Sequence, residues 1–77
     1  MSEGTQIIFM QARLIRLAAY EWSRSLNDVI RIFAENGILD FIRECFGVFH
    51  VEGDYAVLEE IEKSLAHKGV DVNAGTT

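Results

Sequence analysis

The stretch Ser25–Phe49, SLNDVIRIFAENGILDFIRECFGVF, decides the fold. Its apolar residues recur every three or four positions, and no run alternates as a strand would. Ser25 with Asp28 three residues on is a weaker relative of the capping box and opens a helix. Leu26, Val29, Ile30, Phe33 and Ala34 form one face of that helix; Asn27, Asp28, Arg31 and Glu35 form the other. Asn36-Gly37 closes it, because glycine takes the left-handed conformation of a helix end without penalty. A further helix from about Leu39 to Phe49 is the densest apolar stretch of the chain and is expected to be the core helix. Gly47 inside it costs about 1 kcal/mol against alanine, so it marks a close helix crossing or an early end near His50.

Toward the N-terminus the spacing predicts a helix from Gln6 to about Trp22, with Thr5 as its cap. Its apolar side chains cover about 220° of circumference, where an ordinary amphipathic helix needs little more than about 100°. Such a helix is central in its own fold or lies at a subunit interface, in a homodimer or a heterodimer. Four short helices cover so wide an arc poorly, which favours the interface. Toward the C-terminus the loop His50-Val51-Glu52-Gly53 turns the chain, and Asp54 is placed as the cap of a helix over 55–68. Tyr55, Leu58, Ile61 and Leu65 make its expected buried stripe, Glu59 and Lys63 an i,i+4 pair, and Gly69 its end. The fold expected is all-α, a compact bundle of four short helices over residues 6–69. Residues 1–5 are expected to be a disordered N-terminus and 70–77 a mobile tail.

Composition narrows the function. The chain has 77 residues, 49% of them apolar, one cysteine and no proline. A disulfide scaffold needs paired cysteines, and a dinucleotide-binding fold or a barrel enzyme needs a far longer chain. A domain this small is marginally stable alone and often gains stability from a partner subunit. Residues 1–37 hold four basic and four acidic side chains; residues 38–77 hold three basic and eight acidic ones, which accounts for the net charge of −5. That balance argues against a phosphate backbone as the partner. No long apolar run suggests a membrane span, the first residues do not read as a signal peptide, and a lone cysteine suits a reducing compartment. The expected location is the cytoplasm.

Two groups of residues stand out. Phe9, Arg13, Arg16 and Tyr20 lie at spacings of four, three and four, opposite the centre of the apolar arc. They read either as a solvated helix edge with two rings lying over aliphatic neighbours, or as a contact surface with two aromatic anchors and two arginine donors. Nucleic-acid binding through the stripe is a third reading, opposed by the scarcity of basic residues. The second group, His50, Gly53, Asp54 and Tyr55, reads as a structural loop: glycine for the turn, Asp54 for the cap, Tyr55 opening the stripe, and His50 on the last carbonyls of the preceding helix. A catalytic role for His50 oriented by Asp54 or Glu52 has no adjacent nucleophile to support it. Cys45, His50, Glu52, Asp54 and His67 can ligate zinc by type, but their spacing matches no strong signature, so no metal or other cofactor is expected.

The Gly37-Ile38-Leu39-Asp40-Phe41-Ile42 block, Glu44, the His50…Gly53-Asp54-Tyr55 loop and Glu60-Ile61, with Ser25-Leu26, Val29-Ile30 and Ile32-Phe33 before them, carry a resemblance. Across residues 7–66 the chain resembles a family of short bacterial proteins catalogued as domain of unknown function 3791. The family brings no catalytic residues to carry over. The resemblance implies an antitoxin-like or accessory role, since members are often encoded beside a toxin-like protein. From the residues themselves, the over-wide apolar first helix, the aromatic–arginine stripe and the acidic C-terminal half, the expected function is a non-enzymatic protein-interaction module, with Phe9, Arg13, Arg16 and Tyr20 as the partner-binding residues. The alternative is a small helix-turn-helix-like DNA-binding regulator, with the two helices flanking Asn36-Gly37 as the motif. Against it, the second of those helices exposes Asp40, Arg43 and Glu44 and is otherwise apolar.

Overall fold

The computed structural model of the chain describes residues 1–72. They form an all-α bundle of five helices: α1 (Glu3–Trp22), α2 (Leu26–Glu35), α3 (Ile38–Glu44), α4 (Phe46–Phe49) and α5 (Asp54–His67). No helix among the described residues is long and apolar enough to cross a membrane.

α1 is the central element and packs against α2, α3 and α5. Ile7, Met10, Leu14, Ala18 and Trp22 are its buried stripe, and Ile15, Leu17 and Ala19 fill the margins of the core. Contact with three helices thus absorbs most of the wide apolar arc within the chain and leaves Ile8 exposed. Gln11 interrupts the arc and is satisfied there: its Nε2 donates to the Leu39 carbonyl at 2.9 Å. The helix begins earlier than Gln6. Ser2, not Thr5, is the cap and accepts from the Thr5 amide at 3.2 Å, and residues expected to be disordered form the first turn, where Glu3 suits the helix dipole. At the other end Ser23 takes the left-handed conformation, φ 53°, with Arg24 N–H on the Ala19 carbonyl and Ser23 N–H on that of Tyr20. This is a Schellman end built on serine instead of glycine.

Ser25 caps α2 as expected, accepting from the Asp28 amide at 3.0 Å. The buried face is Val29, Ile32 and Phe33. Leu26 and Ile30, placed inside by the sequence pattern, are about half exposed, because the packing of α2 on α1 and α3 rotates Ile32 inward in their stead. Gly37 is left-handed, φ 68°, and redirects the chain straight into α3. The single helix expected over 39–49 is broken at Cys45 into α3 and α4. The break lets Ile38 and Ile42 on one segment and Phe46 and Phe49 on the other all reach the core, with Phe41 and Phe49 edge to face at 5.4 Å. A methyl group at Gly47 meets nothing within 4 Å, so it marks the early helix end and no close crossing. Cys45 is half-buried and packs against the core.

In α5 the buried stripe is Val57, Leu58, Ile61 and Leu65. Tyr55, in the first turn, is 63% exposed; Val57 fills the place expected for it. Lys63 pairs with Glu60 at 3.8 Å instead of with Glu59. Lys68 donates across the bundle to the Asn36 carbonyl at the end of α2. Gly69, φ 80°, makes a second Schellman end. Of the expected tail, Val70 is half-buried and Val72 buried, and Arg24 Nε donates to the Val72 carbonyl at 2.9 Å. The rest of that tail, residues 73–77, lies outside the described residues.

Asp28 accepts from Arg24 Nη1 at 2.7 Å and from Arg31, and these two hydrogen bonds hold its carboxyl below the ordinary aspartate range. Its folded pKa is therefore lower than its unfolded one. The stabilisation is complete above the unfolded value and is lost as pH falls through the folded one. Between about pH 5 and about pH 2 the urea midpoint of the wild type is expected to fall more steeply than that of Asp28→Asn, so the two curves converge in acid. Parallel curves would remove Asp28 from the acid response.

Candidate interaction surface

Burial of Ile7, Met10, Leu14, Ala18 and Trp22 fixes the rotation of α1 about its axis. Residues on the opposite side of a 3.6-residue period must then face solvent. Phe9, Arg13, Arg16 and Tyr20 are those residues, and all four are exposed. Phe9 is 50% and Tyr20 77% exposed. The two rings stand eleven positions apart on a rigid helix, about 16 Å at 1.5 Å per residue.

The structure joins the stripe to the loop. Arg13 lies against Asp54, Nε on Oδ2 at 3.0 Å and Nη2 on Oδ1 at 3.4 Å, a side-on pairing of guanidinium and carboxylate. Asp54 thus clamps α5 to α1 and does not cap its own helix, whose N-cap position is Gly53. α1 and α5 run in the same direction, since Arg13 meets the start of α5 and Trp22 meets Glu62 farther along. His50 behaves as expected: its Nδ1 lies 2.9 Å from the Phe46 carbonyl, which can only accept, so Nδ1 carries the proton. Its ring stacks on Phe46 at 5.1 Å.

Gln6, Phe9, Met10, Arg13, Phe46 and His50 line a cleft of about 270 Å³ between the first half of α1 and α4. Pockets for small ligands are usually larger, about 300–1,000 Å³, and this cleft, walled half by Phe9, Met10 and Phe46 and half by Gln6, Arg13 and His50, is of a size for one side chain. Gln6, Met10 and Phe46 escape sequence reasoning, because only the tertiary contact of α1 with α4 brings them together. Arg16, Tyr20 and Tyr55 do not reach the cleft. A second hollow, of about 470 Å³, is lined by Glu62, Ala66 and Gly69–Val72, with none of the candidate partner-binding or loop residues. Among the described residues no three His, Cys, Asp or Glu side chains gather to hold a metal.

Charge distinguishes one stripe residue from the rest. Arg13, Arg24, Arg31 and Arg43 pair with Asp54, Asp28, Asp28 and Asp40, Lys63 with Glu60, and Lys68 with a carbonyl. Those are six of the seven basic side chains. Arg16 is the seventh, and among the described residues it has no hydrogen bond or ion pair.

Gly53 holds the loop in the conformation that presents Asp54 to Arg13, φ 95° and ψ 150°, a region open to glycine almost alone. A Cβ there meets nothing within 4 Å, so Gly53→Ala tests the backbone by itself. It is expected to lower stability by about 1–3 kcal/mol, whereas Gly47→Ala, equally open but helical, is expected to raise it by about 0.5–1 kcal/mol. Urea denaturation of the two variants checks the opposite signs, and equal effects would refute the assignment.

No curated protein and no solved structure matches this chain. The family model described as Protein of unknown function (DUF3791) matches residues 9–68, from the first ring of the stripe to the end of α5, and this chain belongs to that family.

Proposed function

We propose that this protein is a non-enzymatic interaction module that binds a companion protein in the cytoplasm through the outer face of α1, in an antitoxin-like or accessory role. One observation carries the reading. Phe9 and Tyr20 expose large rings in line with two arginines, on a helix whose opposite stripe, Ile7, Met10, Leu14, Ala18 and Trp22, is committed to the core. Aromatic and arginine side chains are the residue types that dominate binding energy at protein interfaces. The helix is held on three sides, so little ordering cost is left to be met on binding. The cleft beside Phe9 offers a seat for one partner side chain.

The DNA-binding alternative draws no comparable support. α3, which would be the recognition helix, has seven residues, and its exposed charged side chains are Asp40, Arg43 and Glu44, with Arg43 already bonded to Asp40. Two carboxylates and a neutralised arginine are poorly suited to base edges and phosphates.

The test is affinity capture from native lysate with the wild type and with the double variant Phe9→Ala/Tyr20→Ala. Both rings are exposed, so the double variant is expected to keep the fold by circular dichroism. A stoichiometric companion captured by the wild type and lost with the double variant is the expected result. Equal capture by both removes the stripe from the account.

A further inference from the structure

We infer that Arg16 is the charge anchor of this surface, and that it takes a carboxylate of a second, different protein, with apolar side chains flanking it toward Phe9 and Tyr20. The inference rests on the proposed function and names the chemistry of the partner. In a chain of twelve acidic and seven basic side chains, an unpaired cation is the exception. Arg16 is unpaired among the described residues and stands between the two exposed rings, one helical turn before Tyr20. Arg13, its neighbour on the stripe, is already neutralised by Asp54. The local charge of the stripe is therefore one free guanidinium, although the chain as a whole is acidic.

A carboxylate is the natural complement, because the guanidinium fork matches its two oxygens. The rings on either side can exclude water from such a pair, which strengthens it. A second copy of this chain fits poorly. An antiparallel two-fold pairing of α1 with itself, centred on the stripe, sets Arg13 and Arg16 of one copy against Arg16 and Arg13 of the other. The described residues contain no strand and so no open sheet edge for an extended segment to join, and recognition must run through side chains.

The test measures binding of the captured companion, purified, to the full chain carrying Arg16→Glu, Arg16→Lys or Phe9→Ala/Tyr20→Ala. Among the described residues Arg16 makes no hydrogen bond or ion pair, so its variants are expected to keep the wild-type melting curve. Arg16→Glu is expected to weaken binding at least about tenfold and Arg16→Lys by less, since lysine keeps the charge and loses the fork. Reversing the facing Asp or Glu of the companion to Arg is expected to restore binding to Arg16→Glu. Loss with the aromatic double variant but unchanged affinity with Arg16→Glu overturns this inference and leaves the interaction module standing. Capture only of the chain itself, or of nucleic acid removed by nuclease, overturns both.

Discussion

A buried indole must find a hydrogen-bond acceptor, and the way this chain meets that requirement orients everything else. Trp22 is 1% exposed at the end of α1. Its Nε1–H donates to Glu62 of α5 at 2.7 Å, and its ring meets Phe33 of α2 edge to face at 6.2 Å. One side chain thus ties three helices together. Leaving the indole N–H unsatisfied in the core would cost about 1–3 kcal/mol, a large share of the stability of so small a domain. With Trp22 fixed inward, helical geometry sends Phe9, Arg13, Arg16 and Tyr20 outward. The exposed stripe is a consequence of the core and not a separate design.

The remaining polar contacts extend the same frame along the surface. Arg13–Asp54 repeats at the start of α5 what Trp22–Glu62 does farther on. Arg24 reaches both Asp28 and the Val72 carbonyl, and Lys68 reaches the end of α2. Among the described residues no charged or polar residue is buried, so apart from the Trp22 indole bond the core is held by apolar packing, and the polar links fix its elements in register at the rim. Exposed ion pairs contribute little each, about 0–1 kcal/mol, and their role here is orientation more than stability.

Much of this was legible in the sequence, and the misreadings share one cause. Helix existence, the Ser25 cap and the glycine ends at 37 and 69 follow from local chemistry and are found where that chemistry puts them. The outward position of Phe9, Arg13, Arg16 and Tyr20 follows from periodicity. Misread were features set by contact: the rotation of α2 that buries Ile32 in place of Ile30, the exposure of Tyr55, the break at Cys45 and the burial of Val72. Ser2 and Thr5 are both of capping type, and the start of α1 at Glu3 selects Ser2, the better cap of the two. Neither the Arg13–Asp54 clamp nor the isolation of Arg16 could be read from the sequence, because pairing across forty residues is decided by the fold.

The central claim is that the outer face of α1 meets another protein. Site-specific photo-crosslinking in the native cell tests it most directly, with the photoreactive side chain placed at Tyr20 or, as the comparison, at Glu59 on the exposed side of α5. The account predicts a discrete adduct with a second protein from position 20 and none from position 59. An adduct from position 59 with none from position 20 would place the contact on the acidic face of α5 and contradict it.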